Sequence, residues 1–371
     1  MKELGEVDLE VRGEVRKPIS NFSRLSGIPQ TTGHNPIASK FSSSNVQKLN
    51  YKLGEEVATR KAYGSALKRL GEVYPNLVSL DGEVKNSTYA EIFKEAFSDR
   101  YFEMFIAEQN MVGAAIGMAR LGFIPFASSF ACFLSRAFDQ IRMGSIGGAN
   151  VKFCGSHAGV SIGEDGPSQM GLEDLAMFRA INGSIVLYPA DAVSTEKLVE
   201  EMIKHKGISY IRTSRPTTPV IYSNMEEFPI GGSKVHRLKV KSEKSKIKEK
   251  VIIAACGVTL FEALKAQEEL VKEGIEAIAV DCYSIKPIDE ATLKELTKET
   301  PYIITVEDHY FEGGLGDAVL NVFAGSGGVK IKKLAVTKMP RSGKPAELLA
   351  YEGIDTASII RKAKEILEIY S

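Results

Sequence analysis

The stretch FIPFASSFACFLSRAFDQIRMGSIGGANVKFCGSHAGV, residues 123–160, decides how the rest of the chain is read. Two short apolar runs, 123–130 and 151–160, flank a segment at 132–144 whose apolar residues recur at helical spacing. Strand, helix, strand in that order is a βαβ unit. Runs that are apolar almost throughout fit strands buried on both faces of a parallel sheet. The alternation extends both ways. Strands are expected at 77–82 (LVSLDG), 101–108 (YFEMFIAE), 184–190 (SIVLYPA) and 208–214 (ISYIRTS), with helices at 109–121, 171–181 and 193–205. The stretch 215–250 breaks the pattern with Pro216, Pro219, Pro229 and Gly231-Gly232. A Lys-rich run from Arg237 to Lys250 follows, which reads as a Lys-guarded edge strand or a solvated linker. A second α/β unit then has strands at 251–257, 275–282, 302–308 and 331–336, helices at 259–273, 289–299 and 314–323, and a last helix at 355–369. The expected architecture is α/β, with two successive parallel-sheet domains at 51–225 and 226–371. Residues 1–50, rich in Ser, Gly, Asn and Pro, read as an irregular arm in which His34 is a solvated side chain.

Composition narrows the function. Of 371 residues, 47 are Lys or Arg and 47 are Asp or Glu, so no net field is available to hold a polyanion, and nucleic acid is not an expected partner. With 44% hydrophobic and 25% charged residues the chain has ordinary globular usage. The opening MKELGEVDLEVRGEVRK has no apolar core of a secretory signal, and the uncharged stretch 121–135 is too short to span a bilayer and holds Pro125. No membrane association and a cytoplasmic location are expected. Cys132, Cys154, Cys256 and Cys282 show no CxxC spacing and read as buried, reduced thiols.

Open α/β sheets place their chemistry outside the carboxyl ends of the strands. Glu108 stands at the expected end of strand 101–108, where apolar neighbours would desolvate its carboxyl and ease proton sharing near neutrality. As the first charge of a helix it would equally be favoured by the macrodipole alone. GSHAGVSIGEDGPSQM (155–170) packs His157, Glu164, Asp165 and Gln169 into a Gly-rich loop suited to a hydroxylated or phosphorylated small molecule. Arg212 and Arg215 end strand 208–214, where a guanidinium can clamp a phosphate or carboxylate. Ser87, in DGEVKNST (81–88), can donate to an anion, and Phe130 or Phe133 can stack on a ring. No GxGxxG opening a βα unit, GxxxxGK[ST], GxSxG or HExxH is present.

Taken together, IAEQNMV (106–112), PFASSFACFLSRAFDQIRM (125–143), GSHAGVSIGEDGPSQM (155–170), IRTSRP (211–216), TVEDHYFEGGLG (305–316) and PRSGKPAELL (340–349) make the chain similar to the C-terminal half of transketolase, over residues 52–371. Gln169 stands where the yeast and plant types carry histidine, so the resemblance is to the animal type. It implies a pyrimidine-binding domain followed by the family's C-terminal domain, without the domain whose GDG…N motif holds diphosphate and metal. The chain would then be the C-terminal subunit of a split transketolase of the pentose phosphate pathway. It would need an N-terminal-half partner chain, self-associate through both of its domains and form a heterotetramer. The resemblance implies thiamine diphosphate as cofactor, with Mg²⁺ ligands on the partner.

Residue by residue, it implies that Glu108 hydrogen-bonds the aminopyrimidine ring nitrogen and activates the cofactor. Phe130 and Phe133 would surround that ring, and Gln169 would lie near cofactor and substrate. Ser87, His157 and Arg215 would bind sugar phosphate, and Asp165 would read a sugar hydroxyl. Glu83 departs from the family's aspartate. Other thiamine-dependent enzymes, such as deoxyxylulose-phosphate synthase or a dehydrogenase β-subunit, and a non-catalytic scaffold or regulatory paralogue are the competing readings.

Overall fold

Strands buried on both faces need helices on both sides, and this requirement shapes the structure. The computed structural model describes residues 46–238 and 249–368. One sheet has seven strands in the spatial order Ser284–Lys286, Ile185–Leu187, Ser209–Arg212, Lys152–Ser156, Ile124–Phe130, Leu77–Asp81 and Tyr101–Glu103. All its pairings are parallel except that of Ser284–Lys286 with Ile185–Leu187. A second sheet has five strands in the order Lys330–Val336, Tyr302–Tyr310, Glu249–Ala255, Ile275–Asp281 and Lys234–His236, the last antiparallel to its neighbour. The expected α/β class with mostly parallel sheets is what is found. Leu77–Asp81 and Lys152–Ser156 are buried at every residue, the signature of a covered parallel sheet.

Several elements differ from expectation, each for a local reason. The run 101–108 forms a strand only to Glu103; Met104 N makes one more bond to Asp81 O, and Phe105 then turns into the left-handed region at φ 54. Glu108 is therefore not at a strand tip but is the first residue of helix Glu108–Arg120. The run 151–160 stops as a strand at Ser156 because His157 takes φ 55. Segment 132–144 begins as a 3-10 turn, Phe133–Ala137, and continues as helix Phe138–Ile146. Helix Pro345–Glu352 was not anticipated, and Ser284–Lys286, from the second half of the chain, joins the edge of the first sheet. Residues 1–45, including His34, and 239–248 of the Lys-rich run lie outside the described residues.

The apolar interior is shared between the two sheets. Val78, Tyr188 and Tyr210 belong to one cluster with Ile252, Ile303 and Leu315; Val160 and Leu172 pack with Val251 and Ile304. Among the described residues no helix is long and apolar enough to cross a membrane. Cys154, Cys256 and Cys282 are buried free thiols, and Cys132 is half-buried.

A close approach in the first helix, Thr59–Gly71, bears on the site. A Cβ at Gly64 would collide with the Tyr89 carbonyl, and Tyr89 (φ 60) ends the short helix Lys85–Thr88 that carries Ser87. In an open helix Gly→Ala gains about 0.8–1 kcal/mol. Here Gly64→Ala should lose about 1–3 kcal/mol through overpacking against backbone. Urea unfolding midpoints read the sign, and a rise would show that the contact does not constrain the fold.

Candidate active site

The first sheet reverses its direction of winding beside Leu77–Asp81. From that strand the chain goes outward to Tyr101–Glu103, and from Ile124–Phe130 it goes the other way to Lys152–Ser156. The crevice outside such a switch point is where open α/β sheets bind ligands. The carboxyl ends that meet there are Asp81, Phe130 and Ser156, followed by His157.

At one side lies Glu108, 3% exposed. Arg136 Nε stands 3.2 Å from its Oε2, yet that oxygen is buried and has no hydrogen-bond partner. The guanidinium is near but not aligned, and it is itself 65% exposed. A buried carboxylate oxygen without a partner is costly, so it is a place where a ligand donor would fit. Phe130 and Phe133 stack with centroids 5.1 Å apart at 13°, and the His157 ring lies on Phe130 at 4.0 Å and 13°. Gln169 borders the same turn: its carbonyl accepts from Cys132 Sγ at 3.3 Å. The structure thus groups Phe130, Phe133 and His157 by ring contact, with Gln169 next to them through Cys132. Beside Glu108, Phe105 and Ile106 are 64% and 72% exposed.

A second group gathers cations. Arg215 Nη1 donates to Ile162 O at 2.7 Å and lies 3.5 Å from both Glu164 Oε2 and Asp165 Oδ1. Arg60, which the sequence reading missed, ties this group to the Ser87 turn: Nη1 donates to Ser87 O at 3.0 Å and Nε to Arg215 O at 3.3 Å. Its signal in the sequence was a basic residue within two positions of a helix start, hidden by the apolar period of the helix. The Ser87 turn is held from beneath by Asp81, whose carboxylate accepts from Val84 N and Thr88 Oγ1, both at 2.7 Å. Burial pushes Asp81 up to about 7 against those two bonds. Glu83 is exposed at φ 66, a conformation that suits aspartate or asparagine better than glutamate.

His157 joins the two groups. Burial pushes its imidazole down to about 3, and the Arg60 and Arg215 cations act in the same direction. The ring is therefore neutral at physiological pH, with Nδ1 3.0 Å from Ser156 Oγ. Left-handed backbone at a non-glycine residue stores strain, a feature that clusters at functional sites.

Arg212 requires a correction. Expected as a clamp for a ligand anion, it is fully buried and wholly occupied within the protein. Nε donates to Asp174 Oδ2 at 2.9 Å, Nη1 to Asp308 O at 2.8 Å and Nη2 to Gly171 O at 2.7 Å, and the guanidinium lies 4.7 Å from the Tyr188 ring centroid. Among the described residues no cluster of three or more His, Cys, Asp or Glu side chains could hold a metal ion.

The chain is similar to known proteins over most of its length. The pattern defining the transketolase pyrimidine-binding domain matches residues 55–220, and that of the transketolase C-terminal domain matches 239–359. Transketolase of Rattus norvegicus is 52% identical over 320 residues, which is 86% of this chain and 50% of the relative. Transketolase-like protein 1 of Bos taurus is 48% identical over 320 residues, 52% of its length. The chain thus spans about half the length of the curated relatives it matches. Among solved structures, a chain described as a split-gene transketolase, inactive β4 tetramer, is 35% identical with a TM-score of 0.75, and the match covers 85% of this chain and 100% of that one. Transketolase from Campylobacter jejuni, at 20% identity and a TM-score of 0.73, shares the fold over 88% of this chain and 49% of its own.

The depressed His157 pKa has a consequence for acid stability. Between about pH 6.5, the ordinary histidine value, and about pH 3 the unfolded chain takes up a proton that the folded one refuses. Stability from this source is complete above the upper value and is lost as pH falls through the window. His157→Asn, which tolerates the left-handed backbone, should therefore lose melting temperature less steeply than wild type on acidification through this range. Parallel curves would show that His157 titrates normally.

Proposed function

The chain belongs to the transketolase family, and from that premise we propose that it is the C-terminal subunit of a split thiamine-diphosphate-dependent transketolase. It moves a two-carbon ketol unit from a ketose phosphate to an aldose phosphate once joined to an N-terminal-half chain. The observation that carries this reading is the buried, unpartnered Oε2 of Glu108 beside stacked Phe130 and Phe133. An aminopyrimidine ring fits that surround, with its face against the aromatics and a ring nitrogen toward the carboxylate. The match that covers all of a chain described as a split-gene transketolase supports the subunit assignment. The exposed Phe105 and Ile106 next to Glu108 support a partner that completes the site.

Thiamine diphosphate, when bound, supplies the electron sink for breaking and making the carbon–carbon bond. Glu108 Oε2 holds a proton at the aminopyrimidine nitrogen. Magnesium and diphosphate contacts belong, in this reading, to the partner chain. Arg215, Arg60 and the Ser87 hydroxyl meet the dianionic phosphate of the sugar, a charge-assisted contact that displaces the long 3.5 Å pairings of Arg215 with Glu164 and Asp165. Neutral His157, with Nδ1 taken by Ser156, offers its other nitrogen to a substrate oxygen, and Asp165 accepts from a sugar hydroxyl. Gln169 lines the passage between cofactor and sugar.

Mixing the chain with a transketolase N-terminal-half chain, thiamine diphosphate and Mg²⁺ tests the proposal. Ketol transfer should appear only in the mixture, and calorimetry should find no tight cofactor binding to this chain alone. In the mixture Glu108→Gln should assemble and melt like wild type while kcat falls about 10²–10⁴-fold. Tight binding to the isolated chain, or full activity of Glu108→Gln, would sink the reading.

Specificity gives a separate check. Arg215→Ala should raise KM for phosphorylated sugars about 10- to 150-fold, the kinetic equivalent of about 1.5–3 kcal/mol, while KM for unphosphorylated hydroxypyruvate stays near wild type. Equal losses for both donors would make Arg215 a structural residue.

A further inference from the structure

The TVEDHY stretch, 305–310, ends the longest strand of the second sheet, and none of the roles above uses it. Its Asp308 is fully buried. The carboxylate accepts from the amides of Val160 at 2.7 Å and Ser161 at 3.2 Å, across to the loop that follows His157. The approach is so tight that a Cβ on Gly159, which has φ 86, would overlap Asp308 Oδ2. The other end of the same loop is held from the same strand: Tyr310 N donates to Leu172 O at 3.0 Å. Arg212 spans the remaining gap, since Nη1 takes the Asp308 carbonyl and Nη2 the Gly171 carbonyl. Gly159 N donates to Gly171 O at 2.8 Å, so the two ends of the loop also meet each other.

Residues 158–172 are thus a closed loop gripped at both ends by one strand of the second sheet. Glu164, Asp165 and Gln169 lie within it, and His157 precedes it by one position. The loop is rich in glycine (Gly159, Gly163, Gly166 and Gly171), so its own backbone supplies little stiffness and its shape must come from outside. Two main-chain amides shielded from water need an acceptor, and a carboxylate is the strongest the side chains offer.

We propose that Asp308 is a positioning residue: by holding the Val160 and Ser161 amides it fixes the loop in the shape that presents His157 and Asp165 to the phosphorylated sugar. The C-terminal half of the chain then sets sugar affinity without touching sugar. This inference rests on the transketolase reading for its substrate, and on the loop geometry alone for its mechanics.

The test is Asp308→Asn in the full chain. Asparagine keeps the volume and one carbonyl acceptor, but its amide hydrogens face one of the two main-chain donors. Hydrogen exchange at residues 159–166 should quicken about tenfold or more, while exchange in strand Tyr302–Tyr310 stays slow. In the assembled enzyme KM for phosphorylated donors should rise about tenfold, the loss of one charge-assisted contact. KM for hydroxypyruvate, cofactor affinity and kcat should hold. Unchanged loop exchange overturns the proposal. Equal damage to phosphorylated and unphosphorylated donors also overturns it, because a merely structural carboxylate would act that way. Should the variant fail to fold, the wild-type chain still decides the matter: the Val160 and Ser161 amides must be as protected as the strand that holds them, and free exchange there defeats the idea. If the wild-type mixture shows no ketol transfer, the functional reading fails, while the exchange measurement continues to judge the grip of Asp308 on the loop.

Discussion

A guanidinium sealed from water sets the terms for the rest of the site. Arg212 has no solvent-exposed surface, so its charge must be met within the protein. It is met by Asp174 and by two main-chain carbonyls, one on each side of the boundary between the two sheets, with the Tyr188 ring close by. Desolvating such a cation costs several kcal/mol, and removing one partner of a buried pair typically costs about 3–5 kcal/mol. The arrangement is therefore intolerant of drift. If the second sheet moved by an ångström against the first, a buried donor would lose its acceptor. The same constraint accounts for Tyr210, whose hydroxyl bonds the same Asp174 oxygen and whose ring stacks on Phe178 at 4.0 Å. What the burial achieves is registration: strand ends from two sheets are held to a fixed spacing, and the loop 158–172 hangs between them.

The electrostatics of the crevice follow from that registration. Burial lowers the His157 pKa, and two half-buried cations, Arg60 and Arg215, lie close enough to push it the same way. Their partners in the protein are weak: main-chain carbonyls and two carboxylates at 3.5 Å, one of them exposed. Like charges brought together with so little compensation favour an anion from outside, and a dianion more than a monoanion. The neutral imidazole beside them then serves as a hydrogen-bonding group and not as a third cation. In the proposed reading this balance suits a phosphorylated, hydroxylated ligand by charge count and by the mix of donors and acceptors.

Much of this was legible in the sequence, and the parts that were not share a cause. The alternation of apolar runs with helical periods gave the α/β class, because burial on both faces leaves a mark on every residue of a strand. Glu108, His157 and Arg215 stood out as polar groups at the edges of such runs. The exact end of strand 101–108 did not, because the turn at Phe105 depends on a left-handed backbone that no local apolar pattern encodes. Arg212 was misjudged for a related reason. A basic residue at the end of a strand looks the same in sequence whether it faces a ligand or a carbonyl 96 positions away, and only the packing of the second sheet decides. The edge strand Ser284–Lys286, which crosses into the first sheet, and the helix Pro345–Glu352 were likewise invisible to a reading that treats each half of the chain separately.

Core and surface are divided differently along this chain, and in the proposed reading the division suits a subunit that awaits a partner. The interior runs without a break from the first sheet to the second, with Val78, Ile252 and Ile303 in one cluster. Around Glu108 the opposite holds. Phe105 and Ile106 remain exposed, and Oε2 of the carboxylate they adjoin lacks a hydrogen-bond partner. Leaving such groups unsatisfied carries a cost. In the proposed reading that residual cost becomes part of the binding energy. The partner chain covers apolar surface, the cofactor ring meets the orphaned carboxylate, and the two events reinforce each other because each removes water from the other's contact. A chain that completes its chemistry only in company, as proposed, needs this separation, with a continuous core on one side of the sheet ends and an unfinished surface on the other.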